Sequence, residues 1–218
     1  MAVWDEVKVV LARLRHEQRE ALQEYPDPTS DDCRPPIGIV LAPWAVAIAE
    51  DLNRRFGDDV HLTVGALTYP QGELRFGLAA RPPAELLDPR QATVELDAPA
   101  VVRSGHTAWA GLRVHNHTGQ GLEVATNGHV TAEVVDPATG EVVGRSVGAE
   151  RMPLIVFEVT PGRTERIPLL IGTAGLRPEI GYAVPAGTWG LQATLELGPT
   201  PPEASRRRTP VLPLTITS

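Results

Sequence analysis

Cysteine is almost missing from this chain: Cys33 is the only one in 218 residues. A single thiol excludes an internal disulfide framework and the paired-cysteine ligand sets of structural zinc sites. Lysine is just as scarce, with Lys8 alone among 20 basic residues, and the net charge is −7. An acidic chain without a cationic stripe makes a poor partner for nucleic acid or an anionic membrane. Long apolar runs are lacking too. The longest, "IGIVLAPWAVAIA", covers residues 37–49, short of the ~20 residues that span a bilayer. At the N-terminus, "MAVWDEVKVV" puts Asp5 and Glu6 where a secretory signal would carry positive charge. Together these absences predict a cytoplasmic protein with neither membrane nor nucleic acid as a partner.

Glycine and proline, by contrast, are plentiful, at 20 and 21 residues. They fall mostly between short apolar runs, the pattern of many short strands joined by turns. Residues 1–80 read as a small α+β unit. Val3, Val7, Val10, Leu11, Leu14, Ala21 and Leu22 recur at helical spacing over 3–24, and Tyr25-Pro26 ends the run. The apolar face of this helix is available either to close a homodimer or to lie on the chain's own sandwich. A second helix is expected after Pro43, with Trp44, Ile48, Leu52 and Phe56 at four-residue steps and Gly57 as its terminator. "DDVHLTVGALTYP" reads as a strand through Ala66, turned by "YPQGE" and answered by "LRFGLA". Residues 81–90 read as a linker.

After residue 90 the helical period gives way to two-residue alternation. "ATVEL", "TAWAGLRVH", "HVTAEVV", "EVVGR", "LIVFEV", "TERIPLLI", "TWGLQATLEL" and "VLPLTIT" each carry one apolar face. Asp136 to Gly140 is a hairpin turn, and Pro161-Gly162 is expected to pair Ile155, Phe157 and Val159 with Ile167, Leu169 and Ile171. Trp189 falls on the inward parity. Pro213 lacks an amide donor, so its strand should lie at an edge or leave one position unpaired. Seven to eight half-apolar strands over 91–218 predict an all-β immunoglobulin-like sandwich.

Candidate chemistry is sparse. "GRSVG", residues 144–148, matches a hydrolase nucleophile elbow, but the elbow needs a helix after Ser146, and the segment that follows reads as strand. Cys33 sits in an acidic loop, which disfavours the thiolate. His115 and His117 stand two apart at the end of a strand, about 6.6 Å along it. With His129 as a third ligand they form the alternative reading, a metal-binding sandwich; a plain strand end is the simpler account. Asn116-His117-Thr118 fits a glycosylation acceptor that a cytoplasmic chain would never use. These observations predict no catalytic residues and no cofactor. An enzyme with a site between the two halves is the remaining class.

Two features point to a partner. Trp109 shares the outward parity of Arg113 and His115, and a large exposed indole marks a contact surface unless the N-terminal unit covers it. Arg206, Arg207 and Arg208 are the one basic cluster, read as a solvated loop or a second contact. The strand ending in "VHNHTG", the "VVDPATGEVV" hairpin, the "VTPGRTERI" turn and "YAVPAGTWGLQATL" resemble the BsuPI-like intracellular proteinase inhibitor domain over residues 92–217. That resemblance implies an immunoglobulin-like fold and a protease as partner; no inhibitory residue carries over by motif. The expected function is a non-catalytic protein-binding or regulatory module.

Overall fold

The computed structural model describes residues 3–26, 35–72, 84–148, 153–198 and 205–218. Cys33 and the expected strand "LRFGLA" lie outside the described residues. Helix α1 (Val3–Glu17) has Asp5 and Glu6 in its first turn and Arg15 and His16 in its last, each matching the helix dipole. It is shorter than its periodicity predicts. A 3-10 turn follows at Arg19–Ala21, and Leu22–Glu24 become strand β1. Leu22 still buries its side chain, but in a sheet, where the Leu22↔Leu41 pairing also satisfies the backbone.

Strand β2 (Ile37–Leu41), helix α2 (Val46–Phe56) and strand β3 (Val60–Val64) form a βαβ unit, with Ile37↔Val60 to Leu41↔Val64 in parallel register. Gly57 closes α2 at φ 51, its amide donating to the Asn53 carbonyl. Leu52 and Phe56 are buried as expected, but Trp44 is 39% exposed. It precedes the helix, so the helical phase does not carry it inward. The strand expected to run through Ala66 stops at Val64. Gly65 takes φ 59, the chain reverses over Gly65 and Ala66, and strand β4 (Leu67–Tyr69) returns with Val64↔Leu67 paired. A glycine at positive φ in the first position of a two-residue loop is a favoured hairpin turn. Trp4, Val7, Val10, Leu11 and Leu14 of α1 are buried with Ile37, Ile39, Leu41, Leu52 and Leu62. The apolar face of α1 is therefore covered by the chain's own first sheet and helix α2.

The rest of the chain is strand: β5 (Glu85–Leu86), β6 (Ala92–Leu96), β7 (Ala100–Arg103), β8 (Thr107–Asn116), β9 (Leu122–Thr126), β10 (Val130–Val135), β11 (Val142–Arg145), β12 (Ile155–Val159), β13 (Thr164–Gly172), β14 (Ala174–Gly175), β15 (Gly187–Leu197), β16 (Ser205–Arg208) and β17 (Leu212–Thr217). Hydrogen bonds link all of them into one large curled sheet, with β12-β9-β15-β10-β13-β8-β6 as its main path. A second buried cluster fills its interior, including Leu112, Val114, Ile167, Leu169, Leu191 and Leu195.

Several sequence expectations change here. Strands β12 and β13 are not a hairpin: β12 pairs with β9, whereas β13 pairs with β8 and β10. The chain passes from β9's partner strand to the β8–β10 side through the exposed Pro161-Gly162 turn, leaving Ile155 outside while Val159, Ile167, Leu169 and Ile171 are buried. Trp189 is half-buried at the cluster's margin, its indole N–H donating to the Pro185 carbonyl at 2.9 Å. Within the stretch 81–90, β5 pairs with β16 and Leu87 joins the core. Strand β17 lies between β15 and β7, but the ladder to β7 begins at Leu214. Pro213 thus lies before that ladder begins and needs no amide on that side.

Strand β15 belongs to both limbs of the curl. Residues 190–193 pair with β10 and 187–191 with β17, while 196–197 pair with β9 and 194–197 with β16. Thr209 makes the crossover between β16 and β17 possible. Fully buried, it donates its own amide to the Ala193 carbonyl at 2.9 Å, and its hydroxyl accepts the Ala193 amide at 3.0 Å. The hydroxyl supplies an acceptor where the ladder is broken. Replacing it with a methyl leaves a buried N–H unpaired, which costs about 1–3 kcal/mol. Thr209→Val is expected to lose that much stability in urea unfolding, and Thr209→Ser to recover most of it. Equal stability of wild type and Thr209→Val would refute this role.

Candidate functional site

Alternation along β8 fixes what its outer face presents. Leu112 and Val114 are buried while Trp109 and Arg113 point outward, and Trp109 is 64% exposed. The N-terminal unit does not cover it, contrary to the burial expected as its first explanation. Its ring meets His129 edge-on, with centroids 5.1 Å apart and planes at 81°. Leu170 of β13 is its cross-strand neighbour, and Thr131 of β10 is the next in that row.

Beside this aromatic centre the face turns polar. Gly111, two residues along, has no side chain, and a Cβ there would overlap the Asp97 carboxylate and the Arg166 guanidinium. The bare backbone lets these two groups meet across β8: Arg166 Nε donates to Asp97 Oδ2 at 2.6 Å, and the Gly111 amide donates to Oδ1 at 2.9 Å. Those two bonds, the Arg166 one first, hold the Asp97 carboxyl below its ordinary pKa. Arg113 and Glu95 form a second pair at 3.3 Å. An exposed indole rimmed by fixed ion pairs has the layout of a contact patch, with an apolar centre and a polar border.

The open edge of β12 extends the patch. Among the described residues this strand pairs only with β9, and Leu154, Ile155 and Val156 are 54%, 42% and 39% exposed. Ile155 Cδ1 lies 3.3 Å from where a Cβ on Gly128 would stand, and Gly128 adjoins His129 beneath Trp109. Natural sheets usually protect an edge with charge, proline or a bulge. Along Ile155–Val159 only Glu158 does so.

The remaining sequence candidates are dispersed. His115 Nδ1 lies 2.9 Å from the Thr164 hydroxyl and His117 Nε2 lies 3.0 Å from that of Thr93, with the two rings 4.5 Å apart. His129 is not with them, since it packs on Trp109. Among the described residues no three His, Cys, Asp or Glu side chains gather around one point. Asn116, between the pair, is fully buried. It donates to the Gln120 and Val159 carbonyls at 2.7 and 2.8 Å and accepts from the amide and hydroxyl of Thr118 at 2.9 and 2.8 Å. The motif is a turn clamp.

Arg206, Arg207 and Arg208 are not a loop but strand β16, tied between β15 and β5. Arg207 pairs with Glu85 at 2.9 Å, and Arg208 Nε donates to the Ala84 carbonyl at 2.9 Å. Both guanidinium groups hold β5 in place, with β15, β10 and β13 between them and Trp109 in the ladder. Ser146 follows β11, and among the described residues no helix comes after it.

Sequence reasoning missed the seam between the two halves. Trp44 stacks on His106 at 5.8 Å and 11°, and Tyr69 on Tyr182 at 6.2 Å and 29°. Burial, and to a lesser degree the Tyr69 phenol, raise the pKa of the Tyr182 hydroxyl. Nothing in one sequence pairs positions 44 and 106.

No protein-family model matches the chain, and no curated protein matches it either. Solved structures of low similarity include the CARDB domain of the PF1109 protein from Pyrococcus furiosus, described in complex with di-metal ions (13% identity, 65% of this chain and 98% of that one, TM-score 0.32). Others are the ASH/PapD-like domain of human CEP192 (15%, 64% and 94%, TM-score 0.28) and the CooA pilin subunit of enterotoxigenic Escherichia coli (10%, 59% and 99%, TM-score 0.27). Scores this low carry no argument about the present chain. No helix among the described residues is long and apolar enough to cross a membrane.

The Asp97–Arg166 pair gives a pH test. A carboxyl with a depressed folded pKa adds stability above its unfolded pKa of ~3.9, and that stability fades as pH falls through the folded value. Asp97→Asn is therefore expected to lower the melting temperature at pH 7, with the gap to wild type closing as pH drops below the ordinary carboxylate range. A gap unchanged down to acid unfolding would remove the ion pair from the account.

Proposed function

We propose that residues 91–218 form an immunoglobulin-like sandwich acting as a non-catalytic protein-binding module in the cytoplasm. The partner docks on Trp109 and along the open edge of β12. The observation that carries this reading is the 64% exposed indole on a sheet face, bordered by the Asp97–Arg166 and Glu95–Arg113 ion pairs. Rigid aromatic anchors of this kind dominate binding energy at protein contacts. The unprotected β12 edge adds backbone donors and acceptors that an extended partner segment can pair with. In support of a sandwich, strands facing each other across one core exchange partners through β15, as in closed double-sheet folds. The resemblance to the BsuPI-like inhibitor domain makes a protease the first partner class to assay.

Affinity capture with the full chain as bait, followed by mass spectrometry, tests the proposal. A stoichiometric protein partner is expected with wild type. Trp109→Ala and Val156→Lys should each weaken it about tenfold or more, equivalent to ~1.4 kcal/mol, without changing the melting temperature by more than a few degrees. Retention of the partner at full strength by both variants would place the contact elsewhere.

A further inference from the structure

The open edge of β12 carries charge of one sign. Along this strand Phe157 packs on the core cluster and Val159 is buried, so Val156 and Glu158 share the outer face. The neighbouring strand β9 alternates in step, with Leu122 and Val124 buried and Glu123 turned outward. The register sets Glu158 directly opposite Glu123. Like charges in facing positions destabilise a sheet. Neither carboxylate takes part in an ion pair or a hydrogen bond among the described residues, and neither strand holds a basic residue that could offset them. The edge therefore offers unpaired backbone, one half-exposed valine and two uncompensated negative charges.

A strand added at this edge pairs its backbone with β12, and its outward side chains fall beside Val156 and Glu158 at two-residue spacing. The first position favours an apolar side chain. The second faces two carboxylates that lack a cation. A second copy of this chain fits badly, because its own β12 would bring another Glu158 and Glu123 to the same surface. We propose that the segment docking on β12 is an extended cationic stretch of the partner protein. It sets a Lys or Arg against Glu158 and Glu123, and an apolar residue two positions away against Val156. This selectivity rests on β12 being the docking edge. The repulsion stored in the free edge is relieved when the partner's cation arrives, so the charge selects among partners as well as holding one.

Selection of short random peptides displayed against the full chain tests this. The enriched peptides are expected to share an apolar residue and a Lys or Arg two positions apart, and to bind less tightly as salt rises. For the best of them, Glu123→Gln combined with Glu158→Gln should raise the dissociation constant about tenfold or more. The same double variant should melt no lower than wild type, since a repulsion has been removed. Peptide binding should also slow hydrogen exchange of the β12 amides, as a newly paired edge requires. Failure to enrich any peptide overturns the proposal, as does enrichment of neutral or acidic peptides, or full-strength binding to the double variant. If such peptides are still lost to Val156→Lys, the docking edge stands and only its charge selectivity falls. If they are indifferent to both Val156→Lys and Trp109→Ala, the docking surface itself lies elsewhere.

Discussion

Two-residue alternation along a single strand is the constraint on which the C-terminal half rests. In β15, Leu191, Ala193, Leu195 and Leu197 are buried while Gln192, Thr194 and Glu196 turn outward. Because the strand runs through both limbs of the curl, one inward row serves both. Shifting its register by a single residue would send that whole row into water. The neighbours then have little freedom. Strands β10 and β9 must follow one another along one side, β17 and β16 along the other, and the break between β16 and β17 needs a buried acceptor, which Thr209 supplies.

The same alternation explains the functional face. A sheet that buries one side commits the other to solvent, so the residues at Trp109, Gly111, Arg113 and His115 share a surface because of what Leu112 and Val114 do inside. Gly111 shows how closely that outer surface is specified. Its missing side chain is of no use to the core, yet it allows Asp97 and Arg166 to join across the strand. The outcome is an aromatic residue standing beside a fixed electrostatic rim.

Period and punctuation made much of this legible. Most of the longer strands from Ala92 onward, the Asp136 to Gly140 hairpin, helix α2 with the strand after it and the outward parity of Trp109 follow from local pattern, whereas β7, β9 and the parallel pairing of β2 with β3 were not foreseen. What pattern left out are pairings between distant segments. "LIVFEVTPGRTERIPLLI" has every mark of a hairpin, and only tertiary partners, β9 for one arm and β8 with β10 for the other, pull it open. "SRRR" carries no apolar face, so its place in a sheet comes from Glu85 and the Ala84 carbonyl, more than a hundred residues upstream. The helical spacing that included Ala21 and Leu22 was genuine burial, but a strand and a helix hide such residues equally well. The aromatic seam was unreadable for the same reason, since Trp44 and His106 meet only when both halves are folded.

The stacked aromatic pairs at that seam bear on how the molecule comes apart. Tyr182 packs on the first buried cluster although it belongs to the second half, and Gly65 rests against the Tyr182 carbonyl and the Ala174 methyl. The second half thus supplies part of the first half's dry surface. A fragment cut at the segment joining them would expose that surface to water, so each piece should melt earlier alone than in the whole chain, and protection of the two cores against hydrogen exchange should rise and fall together.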